Sequence, residues 1–329
     1  MNVLLIGSGR WGEKHLRVLR ELGATVWVAE LSPARREVAL RHGVPPDRVV
    51  GDYRDALGLV DAVDLVTPAD SHREIAGVCL AGGRHCFVEK PLALTSIEGR
   101  ELALAADQAG LVLQVGHILR FHPVTGAVRA ALAAHSIGEV RYATGRISGF
   151  KRPRSDVGIT HTDAIHYFDL FAYLFAHEPT NVLSYQRDYL RRGLDDMSVT
   201  IVNYGAVAAV VETNYFMPGK QRECVIIGES GSLVADFDLG SVVRYTAEHR
   251  RRGDTWEAID VGRDRIPAIG AEPLRAELEA FLAACAGRAP VAVSALDGVR
   301  ALEIVEAAAQ SARLGRAIPL VAHALSEAA

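Results

Sequence analysis

The sequence predicts an α/β protein with two domains. An N-terminal Rossmann domain with a doubly wound parallel sheet precedes a C-terminal α+β domain with a large, mostly antiparallel open sheet. Three observations support this fold class: the first third alternates short apolar runs with helical patterns, a glycine-rich loop follows the first run, and longer alternating runs fill most of the remainder. We place the boundary near residue 118, which gives domains 1–118 and 119–329.

Short apolar runs in the first third have the length and composition of buried strands. Helical patterns lie between most of them, and two of these have clear end signals. Ser32 and Pro33 are typical of a helix start, and Thr95 with Glu98 has capping-box spacing. We therefore predict helices over 32–43 and 95–110. The predicted strands are 2–6, 25–29, 48–50, 63–66, 85–88 and 111–115.

The pattern changes after residue 118. Alternating apolar and polar residues, with turn residues between several of the runs, indicate an antiparallel sheet. The predicted strands here are 139–148, 197–204, 206–216, 223–228, 231–237 and 241–246. The predicted helices are about 123–134, 161–175, 272–286 and 295–314.

Composition restricts the class of protein. The 329 residues are 49% hydrophobic and 23% charged, with a net charge of −4, which is typical of a globular chain without a nucleic-acid surface. Four cysteines in a chain of this size favour a reducing compartment, and the absence of CxxC spacing disfavours a zinc site. No apolar stretch reaches about 20 residues, so we predict no membrane span. We expect a cytoplasmic protein that binds neither nucleic acid nor membrane.

A glycine array follows the first predicted strand and opens a predicted helix. Gly7, Gly9 and Gly12 have G-x-G-x-x-G spacing, which permits a tight turn, close approach of a pyrophosphate, and close packing of helix on strand. Glu30 ends the second strand, where a carboxylate accepts hydrogen bonds from ribose hydroxyls. The array predicts NAD as cofactor. The nearby Arg35 and Arg36 keep NADP as an alternative, and the competing interpretation is a purely structural turn.

Two further stretches resemble a known family. "TPADSH" (67–72) follows the fourth strand and "FVEKPLALT" (87–95) follows the fifth. With the glycine loop, they are similar to the glucose–fructose oxidoreductase/inositol dehydrogenase/rhizopine catabolism (Gfo/Idh/MocA) family. The resemblance covers nearly the whole chain. It implies the two-domain fold above, an NAD(P)-dependent dehydrogenase acting on CH–OH groups, and a homodimer or homotetramer.

The resemblance also assigns residues. The family's Glu-Lys-Pro lysine corresponds to Lys90, which would contact the substrate hydroxyl and stabilise a developing alkoxide. Lysine stands only at positions 14, 90, 151 and 220 of this arginine-biased chain. The competing interpretation of Lys90 is a surface lysine in a turn. The residues implied to bind the cofactor are Gly7, Gly9, Arg10, Trp11, Gly12, Glu30, Thr67, Pro68, His72, Glu89 and Lys90.

A second family signature, G-x-x-x-D-x-x-x-H, is only partly matched. Gly158 and His166 occupy its glycine and histidine positions, but Thr162 stands at the acid position and Asp163 follows one residue later. The implied catalytic set is Lys90, His166 and Asp163. Thr162 and His161 remain alternatives for the place of the acid.

The segments "GHILRFHP" (116–123) and "DVGITHTDAIH" (156–166) most resemble the nucleotide-sugar branch, such as UDP-N-acetylglucosamine 3-dehydrogenases. Cations in "FKRPRSD" (150–156) would suit a pyrophosphate, and a solvated loop is the competing interpretation. The implied substrate contacts are Lys90, Arg120, Arg152, Arg154, Thr162 and His166. His161 and His166 are five residues apart, which is poor geometry for one ion, so no metal is predicted.

The predicted function is hydride transfer between nicotinamide and a secondary alcohol of a sugar, with a nucleotide sugar as the preferred substrate class. The histidine would act as base, since its ordinary pKa lies near neutral pH. Two alternatives remain: an inositol, aldose or diol dehydrogenase of the same family, and a non-catalytic sensor of dinucleotide or sugar on the same fold.

Overall fold

The computed structural model describes residues 1–321. The chain forms two compact units. The first comprises Met1–Ile118 with Glu272–Leu302, and the second comprises Leu119–Ala271 with residues 303–321.

The helices and strands follow the chain in the order below. The helices are α1 (Gly12–Glu21), α2 (Pro33–Arg41), α3 (Arg54–Leu57), α4 (His72–Ala81), α5 (Ser96–Gln108), α6 (Pro123–Ala133), α7 (Ile165–Phe175), α8 (Pro273–Cys285) and α9 (Ala295–Leu314). The strands are β1 (Asn2–Ile6), β2 (Thr25–Ala29), β3 (Val49–Val50), β4 (Ala62–Leu65), β5 (His85–Glu89), β6 (Leu113–Gly116), β7 (Val140–Gly149), β8 (Pro179–Arg187), β9 (Met197–Tyr204), β10 (Val207–Asn214), β11 (Lys220–Gly228), β12 (Gly231–Asp236), β13 (Ser241–Arg252), β14 (Thr255–Ile266) and β15 (Ile318–Pro319).

The first unit contains a six-stranded sheet in the order β3-β2-β1-β4-β5-β6, with every pair parallel. This order reverses at β1 and β4, which is the Rossmann arrangement, and ligands of such sheets bind beyond the carboxyl ends of the strands. The strands are apolar because both faces of a parallel sheet are covered. The glycine loop, the Thr67 loop and Lys90 each follow the carboxyl end of a strand in this sheet.

Helix α8 belongs to the first unit although it lies far along the chain. Its Leu274, Leu278 and Phe281 are buried in the same apolar cluster as Val3 and Leu16. The division 1–118 and 119–329 assigned this segment to the second domain, whereas the structure groups Glu272–Leu302 with the first unit. The physical reason is the apolar face of α8, which the sheet of the first unit covers. A domain boundary near residue 118 stays a prediction.

The second unit contains a nine-stranded sheet in the order β14-β13-β12-β11-β7-β10-β9-β8-β15, antiparallel except for the pair of β10 and β7. Helix α7 supplies the bulky apolar side chains Tyr167, Phe168 and Phe171, which are fully buried. Gly145 on β7 leaves room for them, because a Cβ there would lie 2.8 Å from the Tyr167 ring. Packing against this sheet therefore fixes the orientation of α7 and of the turn before it.

The predicted fold class is confirmed, with a parallel Rossmann sheet and a large, mostly antiparallel second sheet. The capping box of Thr95 and Glu98 is also present. Strands β8, β14 and β15 were not predicted. None of the helices within residues 1–321 is long and apolar enough to span a membrane.

Candidate functional site

The glycine loop between β1 and α1 leaves space that only glycine permits. Gly7 has a φ of 93°, and a Cβ there would lie 2.7 Å from the Val66 carbonyl oxygen. A Cβ on Gly12 would collide with the Gly7 carbonyl oxygen. Side chains at either position would fill the space beside the start of α1, where backbone N–H groups and the helix dipole favour a phosphate. The loop therefore fits the pyrophosphate of a dinucleotide.

Glu30 is held beside this loop by three donors. Its Oε2 accepts hydrogen bonds from the Ser8 backbone N–H at 2.9 Å and the Ser8 hydroxyl at 3.2 Å. Its Oε1 accepts from the Ser32 backbone N–H at 2.9 Å. Arg36 donates to the Glu30 carbonyl oxygen at 2.7 Å, and a Cβ on Gly9 would lie 2.8 Å from Arg35 Nη1. One carboxylate and one guanidinium thus border the glycine loop.

The loop after β4 is joined to the turn after β5 through His72. The imidazole is buried, with Nε2 3.0 Å from the Thr67 carbonyl oxygen and Nδ1 2.7 Å from the Pro91 carbonyl oxygen. Thr67 Oγ1 also lies 2.6 Å from Ser71 Oγ. Pro68 begins the short turn of this loop. His72 ties two backbone segments together, and the predicted cofactor contacts of Thr67, Pro68 and His72 stay predictions.

Lys90 stands at the carboxyl end of β5, immediately after Glu89. The Lys90–Pro91 peptide bond is cis. The Lys90 backbone N–H donates to Glu89 Oε2 at 3.1 Å, and Glu89 Oε1 accepts from the Trp11 indole at 2.6 Å. Two residues predicted to bind the cofactor, Trp11 and Glu89, therefore contact each other, whereas Arg10 is exposed on the glycine loop.

Sequence reasoning missed two residues behind this turn. His15 on α1 lies between the carboxylates of Asp64 on β4 and Glu89 on β5, and all three side chains are buried. The available signal was Asp64 itself, because an acid inside a short apolar strand requires a buried partner.

In the second unit, the segment matching the second family signature contains a π-helical turn over Thr160–Ala164, followed directly by α7. Such turns hold an extra residue and occur frequently at functional sites. Thr162 Oγ1 donates to the Gly158 carbonyl oxygen at 2.5 Å and lies 3.4 Å from the Tyr215 hydroxyl. The hydroxyl at the expected acid position is thus engaged with its own turn.

Asp163 is the buried acid of this turn. Its Oδ2 accepts a hydrogen bond from Lys151 Nζ at 2.5 Å, and the Lys151 ammonium also lies 5.7 Å from the centre of the Tyr215 ring. The carboxylate is 10% exposed and the lysine side chain 42% exposed. His166, one turn further along, is half-buried. The structure therefore places a buried carboxylate and a half-buried imidazole three residues apart.

The other predicted substrate contacts differ in their surroundings. Arg120 forms a bidentate pair with Asp169, with Nε 2.9 Å from Oδ2 and Nη2 2.5 Å from Oδ1. Arg154 donates to Asp156 at 2.8 Å through Nε. Arg152 is exposed. All three contacts with substrate stay predictions, and Lys151 is engaged with Asp163. Within residues 1–321, no group of three or more His, Cys, Asp or Glu side chains is arranged to hold a metal ion.

Comparison with known proteins matches two consecutive parts of the chain to one family. Residues 1–117 match the model described as "Oxidoreductase family, NAD-binding Rossmann fold", and residues 129–320 match "Oxidoreductase family, C-terminal alpha/beta domain".

Two curated relatives extend over most of the chain. Inositol 2-dehydrogenase of Rhizobium meliloti is 28% identical and covers 96% of this chain and 98% of its own length. UDP-N-acetylglucosamine 3-dehydrogenase of Acidithiobacillus ferrooxidans is 30% identical and covers 77% of this chain and 78% of its own length. A solved structure of that dehydrogenase from Acidithiobacillus ferrooxidans superimposes with a TM-score of 0.82 at 25% identity, covering 95% of this chain and 98% of the other.

Proposed function

The chain belongs to the Gfo/Idh/MocA oxidoreductase family and has its NAD-binding domain, and from this premise we propose that it is an NAD-dependent dehydrogenase of a sugar secondary alcohol, with nucleotide sugars as its substrate class. The observation that carries the proposal is the turn Glu89–Lys90–Pro91 at the carboxyl end of β5, where ligands of a doubly wound sheet bind. An ammonium at this end of the sheet suits a substrate oxygen that gains negative charge.

The preference for NAD over NADP rests on Glu30. Its carboxylate is fixed by Ser8 and Ser32 beside the glycine loop, where ribose hydroxyls can donate to it and a 2′-phosphate would be repelled. Arg35 is the opposing feature, since its guanidinium lies beside Gly9. The fixed carboxylate favours NAD as the working cofactor.

Bound NAD supplies a nicotinamide that accepts a hydride. In the reaction that we propose, the Lys90 ammonium orients the substrate hydroxyl and stabilises the negative charge on its oxygen. His166 takes the hydroxyl proton as general base. Asp163 is the acid of the second signature in place of Thr162, because it has the buried carboxylate and the Thr162 hydroxyl donates to Gly158. The roles proposed for Lys90, His166 and Asp163 are each supported by the burial or the contacts of the residue within its own unit.

The nucleotide-sugar substrate is supported by the relative that acts on UDP-N-acetylglucosamine and by the cationic segment 150–156. A second candidate is an inositol, which is supported by the relative that covers 98% of its own length. A cytoplasmic location and a homodimer or homotetramer stay predictions.

A substrate panel tests the proposal. The purified protein with NAD is incubated with UDP-sugars, inositols, aldoses and simple diols, while NADH formation and the thermal midpoint are followed. We expect NADH from one or more UDP-sugars, together with a rise in the midpoint. NADH formation from an inositol alone would replace the nucleotide sugar by the second candidate. Binding of NAD without turnover of any member of the panel would contradict a dehydrogenase and favour a sensor.

A further inference from the structure

The first unit contains a buried cluster of ionisable side chains that the proposed chemistry does not use. His15 and Asp64 are 0% exposed and Glu89 is 7% exposed. The three residues come from α1, β4 and β5, and the rings of Trp11 and Phe87 pack on the imidazole with centroids 5.7 and 5.8 Å away. Burying ionised groups is costly unless each is paired, so the arrangement of the three groups relative to one another needs a physical explanation.

The imidazole lies between two acceptors. His15 Nδ1 is 2.9 and 3.1 Å from the two Asp64 oxygens, and Nε2 is 3.3 Å from Glu89 Oε1. An ionised carboxylate only accepts hydrogen bonds, and a neutral imidazole has a proton on one nitrogen only. Facing a carboxylate on each side, the ring is therefore best satisfied as the doubly protonated imidazolium.

The electrostatics agree with this geometry. Burial alone would lower the pKa of His15, but the charge of Asp64 and the hydrogen bond to it, followed by the Glu89 carboxylate, raise it from 6.5 to about 10. Burial raises the pKa of Asp64 more than His15 lowers it. For Glu89, burial raises the pKa, but His15, the Trp11 indole and the charge of Lys90 together lower it. At neutral pH His15 is thus cationic and Glu89 is anionic.

Glu89 is the member of the cluster that reaches the proposed site. Its Oε1 accepts from the Trp11 indole at 2.6 Å, and its Oε2 accepts from the Lys90 backbone N–H at 3.1 Å. Trp11 immediately precedes α1 in the glycine loop. A Cβ on Gly116 of β6 would lie 3.1 Å from the Glu89 carboxyl carbon, so the neighbouring strand leaves room for this carboxylate. One carboxylate therefore connects the phosphate-binding loop with Lys90.

We propose that His15 is a positioning residue. Its imidazolium, fixed by Asp64, holds the Glu89 carboxylate between Trp11 and Lys90 and thereby keeps the glycine loop and Lys90 in one arrangement. The part that concerns Lys90 rests on the proposed function, and the part that concerns the glycine loop does not. The charged groups that act on His15 are Asp64 and Glu89, and the Lys90 ammonium acts on Glu89.

Asp64→Asn tests this role through pH. The variant keeps the size of the side chain but cannot carry the carboxylate charge that raises the pKa of His15, so that pKa falls. NAD affinity is measured by titration of the full chain without sugar from pH 6 to 9. For the wild type, we expect His15 to cause little change in NAD affinity over this pH range. The variant should lose about tenfold in affinity as pH rises through the lowered His15 pKa, because one pKa unit of coupling corresponds to a factor of ten.

His15→Gln separates charge from shape, because the glutamine amide can still form hydrogen bonds but does not titrate. We expect it to bind NAD more weakly at every pH in the range and to show no new titration. The matched control is His42→Gln, which alters a half-exposed histidine at the end of α2 in the same unit. Because these titrations contain no sugar, a failure of the proposed dehydrogenase activity leaves them unaffected. With an active substrate, kcat should follow the same pH dependence as the affinity.

A folded Asp64→Asn protein whose NAD affinity has the wild-type pH profile would overturn the proposal. The same holds if His15→Gln and His42→Gln bind NAD with equal affinity. If Asp64→Asn does not fold, nitrogen NMR of the wild-type imidazoles decides, with the His15 resonances of the intact protein assigned by their absence in His15→Gln. Two protonated nitrogens on His15 throughout pH 6–9 are expected. Titration near its ordinary value of 6.5 would overturn the proposal.

Discussion

The two units both contain a buried acid next to a cation, but they hold it in different ways. In the NAD-binding unit, Asp64 and Glu89 flank His15, and all three side chains are withdrawn from water. In the second unit, Asp163 pairs with Lys151, whose side chain is 42% exposed. Charges screened by water interact weakly, whereas buried charges do not tolerate the loss of a partner. We therefore expect the buried cluster to keep one fixed arrangement, whereas the Asp163–Lys151 pair is more exposed to screening by water.

The largest expected effect is on the substrate side. Replacing His166 by asparagine removes the proposed general base, so kcat/KM on the active substrate should fall by about 10² to 10⁴, the range typical of general-base removal. NAD affinity should stay at the wild-type value, because His166 belongs to the other unit. His135→Asn, at an exposed histidine of the same unit, serves as control. Activity of His166→Asn within twofold of this control would contradict the assignment.

The next effect decides between two neighbouring residues. Asp163→Asn removes the buried carboxylate that Lys151 contacts, and we expect kcat to fall by roughly 10- to 100-fold, a modest share of the usual loss on removing a proton-transfer group. Thr162→Val removes a hydroxyl that donates to Gly158 within its own turn, so kcat should change little. Steady-state kinetics of both variants at one pH provide the comparison. A larger loss of kcat in Thr162→Val than in Asp163→Asn would assign the role of the family's acid to Thr162.

Local patterns in the sequence and contacts between distant elements differ in how far the sequence predicts them. The glycine loop, Glu30 and the capping box of Thr95 are local patterns, and each was recognisable from spacing alone. Strand β14 was missed because most of its side chains are exposed, so it has no apolar alternation. The pairings of Lys151 with Asp163 and of His15 with Asp64 depend on tertiary packing between different elements, which spacing does not reveal. Asp64 within an apolar strand was the one available indication.

A smaller effect concerns the cofactor side. Glu30→Ala removes the carboxylate fixed by Ser8 and Ser32, and we expect the KM for NAD to rise by about tenfold, the equivalent of about 1.4 kcal/mol. The KM for NADP should change less or fall, because the repulsion of a 2′-phosphate is removed while Arg35 remains. Kinetics with both cofactors on one substrate test this. If the ratio of the KM for NAD to the KM for NADP stays unchanged, Glu30 does not select the cofactor.

A further effect is on stability and concerns the buried cluster. A histidine whose pKa is raised to about 10 on folding stabilises the protein fully below its ordinary value of 6.5, and this contribution is lost as pH rises to 10. The slope is at most about 1.4 kcal/mol per pH unit for one proton. The difference in free energy of unfolding between wild type and His15→Gln should therefore shrink from pH 6.5 to 10. A difference that stays constant over this range would mean that His15 is neutral in the folded protein.

The central claim is that Lys90 acts on the substrate rather than on the fold. Its most direct test is the single-turnover rate of NADH formation by Lys90→Met with the active substrate. Lys220→Met, at an exposed lysine of the second unit, is the control. We expect Lys90→Met to retain NAD binding and, with NAD at saturation, to form NADH about 10² to 10³ times more slowly, the usual cost of removing a donor that stabilises an oxyanion. A rate equal to that of Lys220→Met, with NAD still bound, would contradict the claim.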